Sequence, residues 1–284
     1  MTDKSSATNK ENSLSTNDND NNNNDKRTIK AIIFDMDGTL LDTESLADKA
    51  ILQALFGNNV SSLPESLLRS KEWRLDWELK KQILGLRGKE WSPITLNYFQ
   101  QHHQCQDLPT SEQLIDSWEQ NLNAMCSEIE ACPGARELVN AVVSLSNKIP
   151  IAIATSSRMS GVAKKRTHHQ EWFEHIDTIV TGDDVVRGKP APDIYVEAAK
   201  RLEVDPTECL VFEDALSGVQ SAKAAGCCVV AVPDPRYTEE EQDSLFGGAD
   251  VVLNSLWEFD GRPYGIDLNT KENFNSSTNK KKPK

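Results

Sequence analysis

The segment Ile29-Lys30-Ala31-Ile32-Ile33-Phe34-Asp35-Met36-Asp37-Gly38-Thr39-Leu40 decides the fold. Its first half is an apolar, largely β-branched run with little alternation. Both faces of the predicted strand are therefore buried, as in a parallel sheet covered by helices. Runs of the same kind recur at Ile149–Ala154, Ile176–Val180, Cys209–Phe212, Cys227–Val232 and Val251–Leu253. Helical patterns lie between them. Ala135–Ser146 puts Leu138, Val142 and Leu145 on one face, and Ile194–Leu202 follows Pro190 and Pro192, which suit a helix start. Gly218–Ala225 ends at Gly226, a C-cap signal. Strand–helix alternation with short links predicts an α/β class with a doubly wound, Rossmann-like parallel sheet.

One stretch breaks the rhythm. From Glu44 to Cys132 there is no convincing strand, only helical patterns over Ser45–Phe56, Pro64–Leu84, Pro93–His103 and Ser111–Glu128. An all-α cap domain inserted after the first strand is expected over 44–131, seated above the carboxyl end of that strand. The α/β core is then expected over 28–43 and 132–265. Residues 1–27 hold eight Asn and no aromatic residue, so a disordered arm is expected there. Residues 266–284 read as a polar tail whose Lys280-Lys281-Lys282-Pro283-Lys284 suits either a solvated end or a nuclear address.

Composition excludes several function classes. Of 284 residues, 44 are Asp or Glu against 31 Lys or Arg, a formal charge of −13. That balance opposes nucleic acid or an anionic membrane as partner, so an anionic ligand needs a local cation. No apolar run approaches the length of a membrane span, and the N-terminal stretch lacks the apolar core of a secretory signal. Six cysteines form no Cys-x-x-Cys pair and read as reduced thiols. A cytoplasmic monomer is expected.

Chemistry-bearing residues gather at the predicted strand ends. Asp35 and Asp37, two apart after the first strand, can project into one crevice, with Gly38 allowing a sharp turn. Alone they suit a solvated turn as well as a metal site or a nucleophile with an acid/base partner. Thr155-Ser156-Ser157 follow the second long strand and read as an N-cap or an oxyanion cradle. Lys189, between Gly188 and Pro190, is either a surface lysine or a fixed cation for phosphate. Glu213-Asp214 offer hard oxygen ligands suited to Mg²⁺. Open α/β sheets bind ligands outside the carboxyl ends of their strands, and four such ends carry complementary groups here. The set suits attack of a carboxylate on phosphorus, with the second Asp moving protons.

At these residues the chain resembles the haloacid dehalogenase-like hydrolase superfamily over about 28–265. Ile33–Leu40 is similar to its first motif, Thr155 to its second, Lys189 to its third and Glu213-Asp214 to its fourth. The resemblance implies Asp35 as nucleophile and Asp37 as acid/base. Thr155 would touch the phosphoryl group with Ser156 beside it, and Lys189 would bridge phosphate and nucleophile. Mg²⁺ would be held by Asp35, Asp214 and the main-chain carbonyl of Asp37, with Glu213 acting through water. The second Asp matches phosphatases and mutases rather than dehalogenases. The helical insert resembles the cap of the β-phosphoglucomutase-like branch. Within that branch Ala154–Arg158, Lys165–Phe173, Val211–Ala215, Val232–Arg236 and Val251–Leu256 are similar to eukaryotic pseudouridine-5′-phosphatases and plant glycerol phosphatases.

That resemblance implies a phosphomonoesterase acting on a small metabolite, with a nucleoside or sugar phosphate such as pseudouridine 5′-phosphate as the leading substrate. Glycerol phosphate and flavin mononucleotide are the alternatives, the latter because plant relatives act on that ester; cap tryptophans Trp73, Trp77, Trp91 and Trp118 could stack its flat ring, though four Trp in an all-helical domain are more often core. Mutases of the branch keep a histidine where this chain has Ala47, which favours hydrolysis. A silent binding module would have lost one of Asp35, Asp37, Lys189 or Asp214, and none is lost. Arg87 and Lys89, flanked by Gly85 and Gly88, are expected either to meet the distal part of the substrate or to form a solvated turn. His102-His103 and His168-His169 read as exposed surface or packing residues rather than ligands.

Overall fold

The computed structural model describes residues 28–57, 64 and 73–268. The Asn-rich arm, the end of the tail and the first part of the Pro64–Leu84 pattern lie outside the described residues. Six strands, β1 (Ala31–Phe34), β2 (Ile151–Ala154), β3 (Thr178–Val180), β4 (Cys209–Glu213), β5 (Cys228–Ala231) and β6 (Val251–Val252), form one sheet in the order β3-β2-β1-β4-β5-β6. Every pairing is parallel. The chain winds outward from β1 through β2 to β3, returns to the other side at β4, and continues to β6. The reversal leaves a crevice at the carboxyl ends of β1, β2 and β4, where such sheets bind ligands.

Strand side chains alternate between two buried layers, which explains the weak alternation of the sequence. Ile32 and Phe34 pack with Leu138, Val142 and Trp172 on one face. Ala31 and Ile33 pack with Ile194, Tyr195, Ala198 and Val219 on the other. The helices Ala135–Val143 and Gln170–Phe173 thus cover one side, and Asp193–Arg201 and Leu216–Ala225 the other. Each face buries apolar area on both partners, at about 25 cal/mol per Å² removed from water.

Between β1 and β2 the described elements before Cys132 are all helical: Glu44–Phe56, Trp77–Ile83, Gly88–His102, Ser111–Ala124 and a short turn at Cys126–Glu128. They enclose their own apolar cluster, including Ile51, Leu52, Leu79, Trp91, Phe99 and Leu114. The two linkers to the sheet run together, with Asp42 N–H donating to Glu130 O at 2.9 Å and Cys132 N–H to Leu40 O at 2.9 Å. Buried Lys80 pairs with Glu44 and, at 2.7 Å, with Asp48, tying two cap helices where they approach the site. No helix among the described residues is long and apolar enough to cross a membrane.

Two expectations need correction. The helix expected from Pro93 begins at Gly88, with Pro93 inside it, because the Glu90 carboxylate accepts the Arg87 N–H at 3.0 Å and closes the first turn. Of the histidines read as exposed surface or packing residues, His169 packs and is not exposed, held by a ring-nitrogen hydrogen bond of 2.9 Å with Ile129 O and set edge-on against Trp172, and the His103 ring is largely covered beside Asp76. All six cysteines are free, and four are buried.

Candidate active site

The parallel ladder aims the acidic motif. Asp35 N–H donates to Phe212 O at 2.9 Å, so β1 stays in register with β4 up to the point where both chains turn acidic. Oxygen atoms of Asp35, Glu213 and Asp214 lie within 4.8 Å of one another, and all three residues are buried. Gly38 has φ +91°, and a Cβ there would stand 2.2 Å from Asp214 Oδ2, so the turn closes on the carboxylate only because the residue is glycine. Thr39 Oγ1 donates to Asp214 Oδ1 at 3.2 Å.

Lys189 enters from the loop after β3. Its Nζ donates to Asp35 Oδ1 at 2.5 Å, Glu213 Oε1 at 2.6 Å and Ala154 O at 3.2 Å, with 2 % of the residue exposed. Burial pulls the ammonium down, but the two carboxylates outweigh it and raise its pKa above the usual lysine value. Glu213 Oε1 also accepts from Tyr195 OH at 2.5 Å, and its Oε2 accepts the Ala215 N–H at 3.1 Å. Glu213 is therefore fully engaged by protein donors, and Asp35 and Asp214 have the freer oxygens.

Asp37 points the other way along the crevice. Lys165 Nζ donates to its Oδ1 at 2.5 Å, and Ser157 Oγ and Thr155 Oγ1 donate to its Oδ2 at 2.7 and 3.1 Å. Burial pushes this carboxyl up, but the Lys165 charge and the Lys165 and Ser157 hydrogen bonds prevail, so it sits below the ordinary carboxylate range. Asp35 shows the opposite. Burial, reinforced by Glu213 and Asp37, holds it well above that range despite Lys189. Burial and Asp35 likewise raise Asp214. In the metal-free protein the proton therefore favours Asp35 over Asp37, the reverse of a charged nucleophile beside a protonated acid, and a cation on Asp35 would favour its charged form.

The donor set fits a hard divalent cation: clustered oxygens, no sulfur or imidazole, and buried negative charge that one lysine leaves under-compensated. Asp35 and Asp214 would hold it, and the cation would offset repulsion between the carboxylates and an incoming phosphate.

Over these residues lies a cavity of about 390 Å³ between sheet and helices. Asp35, Asp37, Thr155 and Lys165 line its floor, and Ile51, Trp91, Trp118 and Leu122 its roof. Trp91 and Trp118 meet edge to face at 5.2 Å. Lys89 is exposed and lines the cavity, whereas Arg87 does not behave as expected. Arg87 borders the cavity, yet its guanidinium is committed to Glu90 and to the carbonyls of Gly182, Val185 and Val186. It is neither a solvated turn residue nor a ligand cation. Ser156 is also redirected, because its hydroxyl donates to Gly85 O at 2.8 Å. Ser157, not Ser156, turns toward Asp37. Sequence reasoning missed Lys165 and Tyr195 as members of this network.

A family model described as haloacid dehalogenase-like hydrolase matches residues 29–226. The chain is 34% identical over 246 residues to a probable pseudouridine-5′-phosphatase of Drosophila melanogaster, covering 84% of this chain and 95% of that one. It is 35% identical over 244 residues to (DL)-glycerol-3-phosphatase 2 of Arabidopsis thaliana, with coverages of 84% and 92%. Among solved structures it resembles CbbY from Rhodobacter sphaeroides in complex with phosphate, with a TM-score of 0.62, 28% identity, and coverages of 81% and 96%.

Proposed function

The chain belongs to the haloacid dehalogenase-like hydrolase family and is a phosphoric monoester hydrolase, and on that premise we propose that it is a Mg²⁺-dependent phosphatase of a nucleoside or sugar monophosphate such as pseudouridine 5′-phosphate. The observation that carries the mechanism is the meeting of Asp35, Lys189, Glu213 and Asp214 in one buried cluster beside Asp37. Asp35, oriented by Lys189 at 2.5 Å, attacks phosphorus and forms an aspartyl-phosphate. Asp37, held by Ser157, Thr155 and Lys165, delivers a proton to the leaving oxygen and then takes one from the attacking water. The Lys189 ammonium, beside the nucleophile, would meet a phosphoryl oxygen, and the Thr155 hydroxyl would do so only by turning from Asp37. Asp35, Asp214 and the Asp37 carbonyl would hold the Mg²⁺, which would supply charge neutralisation at the phosphoryl group. Glu213 holds Lys189 in place from behind.

The substrate reading rests on the cavity. Beyond the phosphoryl floor its roof is an apolar wall of Ile51, Trp118 and Leu122, with Glu119, Asn123 and Arg158 at its polar edge. A ring-bearing leaving group covers that wall, and glycerol leaves it wet. The Arabidopsis relative's name keeps glycerol phosphate as the second reading. Phosphate release should be measured over pseudouridine and uridine 5′-monophosphates, flavin mononucleotide, hexose phosphates and glycerol 3-phosphate. A nucleoside monophosphate should exceed glycerol 3-phosphate in kcat/KM by about tenfold or more. The reverse order removes the ring-bearing substrate.

The cation has its own test. Mg²⁺ should raise the melting temperature and support turnover, excess chelator should remove both, and Ca²⁺ should inhibit, because its larger and looser coordination displaces the nucleophile. Asp214→Asn should abolish the Mg²⁺-induced melting shift. Full turnover in chelator, or an unchanged shift in Asp214→Asn, rejects this cation site.

A further inference from the structure

The cap turn Leu84-Gly85-Leu86-Arg87 lies across the carboxyl ends of three strands at once. Ser156, after β2, donates its hydroxyl to Gly85 O at 2.8 Å, and Ser217, after β4, donates to Leu84 O at 3.1 Å. Arg87 makes the third attachment, to the loop after β3. Its Nη1 donates to Val185 O at 3.2 Å and Gly182 O at 3.5 Å, and its Nη2 to Val186 O at 3.2 Å. The other edge of the guanidinium pairs with Glu90 on its own helix, at 2.5 Å for Nη2 and 2.9 Å for Nε. A planar fork with a charge partner on one edge and three carbonyls on the other is suited to arginine and not to lysine.

The core is shaped to receive this group. A Cβ on Gly188 would stand 2.4 Å from Arg87 Nε and 2.9 Å from its Cζ, and one on Gly182 would stand 3.2 Å from its Cδ. Neither glycine has a positive φ; at Gly188 it is the guanidinium that leaves no room for a side chain, whereas at Gly182 the Ser156 carbonyl, 2.5 Å from such a Cβ, excludes it first. The loop is braced from within, with Thr181 N–H and Oγ1 both donating to Asp184 Oδ2 at 2.7 Å and Arg201 holding Asp184 Oδ1 at 2.8 Å. The residue after Gly188 is Lys189, whose Nζ orients Asp35.

We propose that Arg87 is a positioning residue that couples seating of the cap to placement of Lys189. Its fork registers the 182–188 loop, and Gly188 transmits that register to the lysine beside the nucleophile. This inference rests on the phosphatase reading above. It also separates Arg87 from a specificity role. A residue that reads the leaving group affects large esters selectively, whereas one that sets Lys189 affects every ester alike, including an aryl phosphate too small to reach the roof of the cavity.

The test is a double-mutant cycle on Arg87 and Gly188, with kcat and KM measured for p-nitrophenyl phosphate and for uridine 5′-monophosphate. Arg87→Ala should lower kcat by about tenfold or more for both esters and by a similar factor, since small misplacements of a catalytic group are that damaging. Arg87→Lys should not rescue it. Gly188→Ala should lower kcat in the wild-type background, where the added methyl meets the guanidinium, and have much less effect when Arg87 is already Ala. Gly188→Ala removes no group, so it alone keeps the test available if Arg87→Ala does not accumulate. Selective loss of the larger ester, rescue by lysine, wild-type kcat in Gly188→Ala, or an equal Gly188→Ala effect in both backgrounds overturns the proposal. If the wild type releases phosphate from no ester, the phosphatase reading fails instead. Hydrogen exchange at the Gly182 and Ala191 amides, which bond Ser157 O and Gly188 O, then still reports the coupling: faster exchange in Arg87→Ala supports it, and unchanged exchange overturns it.

Discussion

Asp35→Asn is expected to abolish phosphate release while leaving the protein folded. The amide keeps the shape of the side chain but removes the charged oxygen that attacks phosphorus. A loss of at least about 10³-fold in kcat is expected if the route is covalent. Stability should move far less, because two effects oppose. In the metal-free protein, burial and neighbouring carboxyls hold Asp35 above the ordinary range. A raised folded-state pKa contributes stability that is complete below the unfolded value and is lost as pH rises through the folded one. At neutral pH the Asp35 charge therefore works against the metal-free fold, and Asn relieves that. Asn also takes away the partner 2.5 Å from Lys189. Asp37→Asn should differ in kind: the aspartyl-phosphate still forms, and leaving-group departure or water attack slows. Rapid acid quench with labelled substrate, followed by peptide mapping, decides the matter. Label on any residue other than Asp35, or Asp35→Asn turnover within about tenfold of wild type, rejects the nucleophile.

The parts of this site that were legible in the sequence are those where chemistry follows a strand directly. Asp35 after Phe34, Thr155 after Ala154 and Asp214 after Glu213 sit at transitions from apolar run to polar turn, and the parallel ladder carries all of them to one edge. The helical insert was legible for a similar reason, as a long stretch with period near 3.6 between strands. What failed to show were partners chosen by tertiary contact. Lys165 lies 128 residues from Asp37 and looks like one more cation at a helix end, beside Lys164 and Arg166. Tyr195 sits within a helix and reads as core, yet its hydroxyl meets Glu213 at 2.5 Å. Arg87 illustrates the limit best. A cation between glycines reads locally as a solvated or ligand-facing turn, and only the carbonyls of a loop some 95 residues away reveal where it goes. Local pattern fixes which groups lie at strand ends; docking of one element on another fixes what those groups touch.

Lys189→Met should damage activity and stability together, and stability far more than Asp35→Asn does. Lys189 stands between Asp35 and Glu213 at 2.5 and 2.6 Å, and Glu213 has no exposed surface. A buried ion pair contributes little net stability against an apolar replacement of both partners, because desolvation offsets attraction. Removal of one partner is different, since the other charge stays buried without its counter-ion, at about 3–5 kcal/mol. Here one lysine serves two carboxylates, so the variant leaves two stranded anions beside Asp214. Phosphate adds a third negative group to the same place, and turnover should fall by about 10²–10³-fold or more. Lys189→Arg should not substitute, because a site this closed, ringed by Asp35, Glu213 and the Ala154 carbonyl, suits a compact ammonium rather than a planar fork. The charge argument has a check that a packing argument does not share. Glu213→Gln added to Lys189→Met removes one stranded anion at nearly constant volume. The double variant should therefore melt above Lys189→Met while remaining inactive, although it has lost one more native group. If the second substitution lowers the melting temperature further, then the methylene stem of Lys189 and the hydrogen bonds of Glu213, rather than charge balance, hold this end of the sheet together.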